Sequence, residues 1–346
     1  MSTNPEQKLR RVQALIAPGT PLREGLERIL RGQTGALVVL GAGRAVTQLS
    51  TGGFELDTPF TPTALRELAK MDGAIIVTAD LTRIVAAGVH LMPSSALVTD
   101  EVGTRHRTAD RVSQQTGVPV VTVSSSMSTI ALFLDGHRHL VDTSFQIISR
   151  ANQALATYAR YTERLLDVSR RLSILEAQDQ VTLKDLAHVL QRLEMVRRLG
   201  HELEGYVVEL GTDGRLLALQ LHELEPGTDE LLDLLLRDYP PTEEHRPDLL
   251  AELSSDELLD PQAVARAAGY PDPLDARLTV HGYRQLAQIQ RLPTVVAERL
   301  LEHFGGLQGL MGATMAELLD VEGIGDSRAR LVRDGLMRLS ESIYET

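Results

Sequence analysis

The stretch that most restricts the fold is Ala36-Leu37-Val38-Val39-Leu40, five consecutive apolar residues closed by Gly41. A strand with one wet face shows a polar residue at every second position, so an unbroken apolar run indicates a strand covered on both faces. A second run, Ile75-Ile76-Val77, follows Asp72-Gly73-Ala74. Strands of this kind need helices packed on both sides of their sheet.

The flanking patterns supply those helices. Residues 6–30 read as two short amphipathic helices broken at Pro18-Gly19-Thr20-Pro21, with Thr20 as cap and Pro21 at the first helical position. Residues 61–71 form a third, capped by Thr61 with Leu65, Leu68 and Met71 on one face. A fourth runs from a basic cluster at residues 104–108 to about Gln115, before Gly117 and Pro119. Further strands are expected at 83–89, 120–123, 129–134 and 137–141, the last two joined by the hairpin pair Asp135-Gly136. Gly41-Ala42-Gly43 lacks the third glycine of a dinucleotide loop, since Val46 stands there, and no helical pattern follows, so it reads as a turn. The N-terminal part is thus an α/β domain with a mixed central sheet flanked by helices.

From residue 146 to 200 the pattern changes to long helices, with Leu186, Val189, Leu190, Leu193 and Val196 forming one apolar face. Gly200, Gly205 and Gly211-Thr212-Asp213-Gly214 are expected to close this all-α spine with turns. Residues 225–260 carry twelve acids against Arg237 and Arg246, a net of −10, and are punctuated by Pro226, Pro240, Pro241 and Pro247. They read as a solvated linker and bundle edge. Residues 276–346 hold eight arginines and nine acids, so the overall charge of −12 does not weigh on that part.

Two similar all-α units occur after Tyr283. The later one, Leu318 to Leu331, centres on Val321-Glu322-Gly323-Ile324-Gly325 and has the order of a helix-hairpin-helix. Gly323 and Gly325 allow backbone N–H groups to converge on a phosphate without reading sequence, with Arg328, Arg330 and Arg333 on the next helix. The earlier one, Gln288 to Leu301, keeps the frame but lacks both glycines, so only the later hairpin is expected to bind DNA. The organisation expected is three segments, 1–145, 146–275 and 276–346.

Without a cysteine the chain has no disulfide, thiolate metal site or cysteine nucleophile. Residues 1–7 show no basic-then-apolar signal, and no apolar run approaches ~18 residues, so a cytoplasmic protein without membrane contact is expected. No Gly-x-x-x-x-Gly-Lys-Ser/Thr loop supports a hydrolytic ATPase.

The chemistry concentrates in two stretches. Asp72-Gly73-Ala74 offers a carboxylate where a strand begins, suited to a divalent cation that bridges phosphates. Thr104-Arg105-His106-Arg107-Thr108 places two guanidiniums, an imidazole and two hydroxyls at the start of a helix. Cations there oppose the helix dipole, each by roughly 0.3–1 kcal/mol, and a bound polyphosphate removes that penalty. Asp72 taken alone reads as a turn residue, and Ser124-Ser125-Ser126-Met127-Ser128 as a polar loop without a nucleophile elbow. His137 and His139 lack a third metal ligand.

Asp72-Gly73-Ala74 and Arg105-His106-Arg107, at this spacing and in an α/β domain, resemble the two signatures of the diadenylate cyclases. With its helical middle and helix-hairpin-helix end, the whole length is similar to the DNA-binding members of that family. The resemblance implies condensation of two ATP into cyclic di-AMP and pyrophosphate, with Asp72 holding Mg2+ or Mn2+ beside the attacking 3′-hydroxyl. It implies ATP contacts from Gly73, Ala74, Leu91, Thr104, Arg105, His106, Arg107, Thr108 and Ser124, with Asp72, Arg105, His106 and Arg107 catalytic. It further implies two catalytic domains facing across a two-fold axis, a homo-octamer, and modulation by branched DNA bound at Gly323, Gly325, Arg328 and Arg330. The alternative is a non-catalytic DNA-binding scaffold whose nucleotide domain only senses ATP.

Overall fold

A computed structural model describes residues 5–242 and 248–342. Met1 to Asn4, Arg246 and Pro247 lie outside them. By compactness the chain divides into two units, Met1–Gln153 with Leu203–Gln220, and Ala154–Glu202 with Leu221–Thr346.

The first unit opens with α1 (Pro5–Leu15) and α2 (Pro21–Arg31), and Thr20 caps α2 by accepting from the Arg23 amide at 3.2 Å. There follow β1 (Ala36–Leu40), α3 (Arg44–Leu49), β2 (Ser50–Thr51), β3 (Phe54–Pro59) and α4 (Pro62–Leu68), which Thr61 caps. Next come β4 (Ala74–Val77), β5 (Arg83–Leu91), α5 (Thr104–Thr116), β6 (Val120–Ser124), β7 (Thr129–Leu134) and β8 (His137–Val141). The strands lie in the order β2-β5-β4-β1-β6-β7-β8, with β3 also on β5. β1 and β4 pair in parallel and the other pairs are antiparallel, so the sheet is mixed.

Alternate residues of the apolar strands serve two cores. Val38, Leu40, Ile75 and Val77 pack with Leu22, Leu26 and Ile29 of α2 and Leu65 of α4. Leu37, Val39, Ala74 and Ile76 pack with Val46 and Leu49 of α3 and Ala109 and Val112 of α5. Each fully buried Leu or Ile contributes about 1.5–3 kcal/mol, which explains why the runs admit no polar residue. The β7–β8 turn has both central residues at positive φ, Asp135 at 50° and Gly136 at 78°, the mirror turn that suits strand twist.

Two expectations are corrected here. A helix, α3, does start directly after Gly43, held by Val46 and Leu49 in the core. Tertiary burial supplied what a six-residue segment cannot show as periodicity. The strands β2 and β3 were not foreseen, and β3 is largely exposed.

Two long helices, α6 (Ser144–Ala177) and α7 (Leu183–Leu210), contribute residues to both units. α7 continues through Gly200 and Gly205, where turns were expected, because a glycine in a packed helix costs only about 1 kcal/mol. A short 3-10 turn, Gly211–Gly214, leads to α8 (Arg215–Leu224).

The remaining helices of the second unit are α9 (Thr228–Asp238), α10 (Asp248–Glu252), α11 (Pro261–Ala267), α12 (Tyr283–Ala287), α13 (Thr294–Phe304), α14 (Leu307–Met311), α15 (Met315–Leu319) and α16 (Asp326–Ser342). The acidic stretch is thus not simply solvated linker: Leu235, Leu250, Leu258 and Val264 are buried, and so is Asp238. The Asp238 carboxylate accepts from the amides of Gly282, Tyr283 and Arg284, at 2.6, 2.5 and 2.9 Å, and so caps α12. Close by, buried Glu176 of α6 binds the Arg284 guanidinium, the Gln285 amide and the Tyr239 hydroxyl. Removing one partner from such a buried pair costs about 3–5 kcal/mol.

Both turns in the C-terminal region have the same form. Leu292 donates to Ile289 O at 3.2 Å and Ile324 to Val321 O at 3.1 Å. Arg291 holds the positive φ of 65° that Gly323 holds at 86°. The missing glycine therefore did not change the earlier turn.

Burial pushes the Asp238 carboxyl up to about 6 from 3.8, although three backbone donors pull the other way. A raised carboxyl pKa means that this group's share of stability is full below about pH 3.8 and is lost as pH rises through 6. The melting temperature of the wild type relative to Asp238→Asn should therefore fall between pH 4 and pH 7. A constant or widening difference contradicts this.

Candidate functional site

Parallel pairing sets the starts of β1 and β4 at the same end of the sheet, where their antiparallel neighbours β6 and β5 finish. Asp72, Gly73 and Ala74 lead into β4, Leu91 ends β5 and Ser124 ends β6. Three of the chain segments singled out by the sequence therefore meet at one end of the sheet. Ser124 is buried, with its Oγ 3.2 Å from Ser126 Oγ and accepting from the Met127 amide at 3.4 Å. Thr129, paired with Ser124, has a buried Oγ1 without a partner among the described residues.

The start of α5 comes to the same edge through Arg105. A Cβ built on Gly35, the residue before β1, would fall 2.8 Å from Arg105 Cζ, so the guanidinium lies directly on the Gly35 backbone. The register Ala36↔Val123, carried one residue further, sets Gly35 beside Ser124. Gly35 was not singled out by sequence, because a glycine before a strand carries no chemistry of its own.

Helix geometry sorts the basic cluster. Successive residues turn by about 100°, so Thr104, Thr108, Arg105 and Arg107 share an outward arc and His106 lies opposite. Arg105 and Arg107 are exposed, whereas His106 is only 9% exposed, with its ring 6.1 Å from that of Phe133 in β7. Its Nε2 is buried without a partner among the described residues. The imidazole thus sits beneath α5, not beside the two guanidiniums. Arg107 donates from Nε to Glu101 O at 3.4 Å. The helix is preceded by Gly103, at φ 91°, which has no side chain to cap it. The first-turn amides therefore remain available to an anion.

Asp72 is exposed, and one of its oxygens, Oδ1, accepts from the Gly73 amide at 3.0 Å. No group of three or more His, Cys, Asp or Glu residues able to hold a metal ion occurs among the described residues. A single carboxylate with Oδ2 unengaged suits Mg2+ or Mn2+ carried mainly by phosphates and water, and does not suit a closed protein cage. Gly73, at φ 107°, packs so closely that a Cβ would lie 2.6 Å from Gly88 C and 2.9 Å from Val89 N.

In the second unit, Gly323 and Gly325 are exposed in the turn before α16. Arg328 turns back and donates to Gly323 O at 2.8 Å, and Arg299 donates to Glu322 O at 3.3 Å. Arg333 donates to Ala313 O at 2.6 Å, while Arg330 stays exposed. Of the three arginines after the turn, two are thus engaged with backbone carbonyls. Among the described residues no helix is long and apolar enough to cross a membrane.

A covered mixed sheet whose one edge gathers a carboxylate, an uncapped helix start and outward guanidiniums defines a nucleotide-binding domain. The family described as DisA bacterial checkpoint controller nucleotide-binding matches residues 23–138, and the DisA bacterial checkpoint controller linker region matches residues 141–276. The DNA integrity scanning protein DisA of Parafrankia sp. (strain EAN1pec) is 54% identical over 338 residues, which span 95% of this chain and 94% of that protein. That of Streptomyces coelicolor is 54% identical over 94% of this chain and 90% of its own length. That of Kineococcus radiotolerans is 50% identical over 98% and 97%. The chain belongs to the DisA family, and it is an enzyme of the diadenylate cyclase class.

The two close-packed glycines should respond differently to alanine. Gly73→Ala meets backbone in a left-handed conformation and should lower stability by about 1–3 kcal/mol in denaturant titrations. Gly35→Ala meets only the mobile end of Arg105, so stability should hold while calorimetry shows ATP binding about tenfold weaker. Equal destabilisation by both substitutions contradicts this placement.

Proposed function

We propose that the first unit binds ATP at this sheet edge and joins two ATP molecules into cyclic di-AMP with loss of two pyrophosphates. Arg105 and Arg107, with Thr104, Thr108 and the free amides of the first turn, hold the phosphates from the outward arc of α5. Ser124 adds a hydroxyl to the terminal phosphates. Gly73 and Ala74 let the backbone approach the nucleotide, and Leu91 covers the adenine. His106 acts from beneath, seating α5 on the sheet so that its outward residues keep their aim. Asp72 holds Mg2+ or Mn2+, which when bound lowers the pKa of the 3′-hydroxyl and offsets charge on the phosphates.

In each of the two steps a 3′-oxygen forms a bond to the partner nucleotide's α-phosphorus. The bond from that phosphorus to the bridging oxygen breaks, pyrophosphate leaves with the electron pair, and the hydroxyl proton passes to solvent. A site that seats one ATP needs a second copy facing it across a two-fold axis. The pair is the smallest active species, and a homo-octamer in the cytoplasm is the assembly that the family resemblance implies. The carrying observation is the uncapped start of α5, with guanidiniums directed outward at the edge where Asp72 leads into β4.

For the second unit the reading is sequence-independent binding of DNA, branched DNA in particular, by a helix-hairpin-helix formed by α15, the Gly323 turn and α16. The relatives named for DNA integrity scanning support it. Gly323 and Gly325 present backbone amides to a phosphate, Arg330 reaches a neighbouring one, and Arg328 braces the turn's carbonyl. Bound DNA would lower cyclase activity.

Purified protein incubated with ATP and Mg2+ or Mn2+ should release cyclic di-AMP and pyrophosphate, separated by chromatography. Asp72→Asn should yield no product while melting at the wild-type temperature. Production of ADP and phosphate alone, or full activity in the variant, overturns the assignment.

A further inference from the structure

The second unit contains a cleft that neither the nucleotide site nor the Gly323 turn uses. It measures roughly 1160 Å³ and lies between α6 on one side and α12 with the C-terminal half of α16 on the other. Its charged lining is Arg170, Arg171 and Arg338 against one carboxylate, Asp167. Asp167 is already paired with Arg170 at 3.0 Å. Among the described residues Arg171 and Arg338 are exposed and have no carboxylate partner. The other polar lining residues are four glutamines and Ser173, all uncharged. In a chain with 47 acids and 35 bases, such a cleft reverses the local sign of charge.

One side of the cleft is braced. Gln285 and Arg284 of α12 are both held by buried Glu176 of α6, which ties the α12 wall to α6. Exposed guanidiniums on rigid helices match phosphate oxygens in a forked geometry, and glutamine amides add neutral donors.

Position narrows the ligand further. Gly325 and Arg338 are thirteen residues apart at the start and within the length of one helix, about 20 Å at 1.5 Å per residue. A free nucleotide does not span that distance, whereas a nucleic-acid strand presents a phosphate at each place. We infer that the cleft is a second seat for the phosphodiester backbone of DNA, with Arg171 and Arg338 as its phosphate contacts. The inference rests on the reading of the Gly323 turn as a DNA-binding hairpin. It adds that one DNA molecule is gripped at two separate places in the second unit.

Fluorescence anisotropy of a labelled four-way junction, titrated with the full chain at several salt concentrations, tests this. The comparison is of wild type, Gly323→Asp and the double substitution Arg171→Gln with Arg338→Gln. The two arginines are exposed, so the double variant should melt with the wild type. It should bind the junction about tenfold more weakly at moderate salt, and its log affinity should fall less steeply with log salt, by about 2 in slope. If the double variant keeps wild-type affinity and slope while Gly323→Asp loses binding, the cleft is idle and the hairpin alone holds the DNA. If the wild type itself binds no junction at any salt, the hairpin reading falls and the cleft falls with it.

Discussion

When β1 and β4 pair side by side in the same direction, their starts fall at one end of the sheet, and β6 and β5 finish there. That pairing depends on burial of both faces, since a parallel pair needs helices above and below it. α2 and α4 on one face and α5 with α3 on the other provide them. A carboxylate, a serine and an arginine cluster that are far apart along the chain are thereby gathered at one edge. The candidate site of the first unit follows from this arrangement more than from any single residue.

The second unit is held by a different kind of interaction. Glu176, Arg284, Gln285, Tyr239 and Asp238 form a buried polar network joining α6, α9 and α12. Burial raises the Tyr239 hydroxyl's pKa, and the Glu176 carboxylate beside it pushes in the same direction. Such a network contributes less to net stability than apolar packing of the same volume, and Arg284 Nε is buried in it without a partner among the described residues. The α12 wall of the cleft beside α6 is held by that tie.

Much of the first unit was legible because its signals are local. The runs at Ala36 and Ile75, the caps at Thr20 and Thr61 and the Asp135-Gly136 turn each involve neighbouring residues, and each formed as read. The arginine cluster and Asp72 were also visible, since unusual charge at a helix start and a carboxylate at a strand start stand out in one dimension. What escaped were features whose cause is distant in sequence. Val46 and Leu49 make α3 by entering a core, Gly200 and Gly205 stay helical through packing, and Asp238 serves as a cap for a helix more than forty residues on.

The amino-acid order alone determined which residues carry charges and hydroxyls suited to phosphate and metal, and that the strands beside them must be buried on both sides, because charge and hydrophobicity are properties of the residues themselves. Only the tertiary structure decided how those residues divide their work. It turned His106 inward while Arg105 and Arg107 face out, laid Arg105 on Gly35, and brought Arg171 and Arg338 to one cleft. Helix rotation and strand register set such directions, and both are fixed by the packing of segments that the sequence does not place side by side.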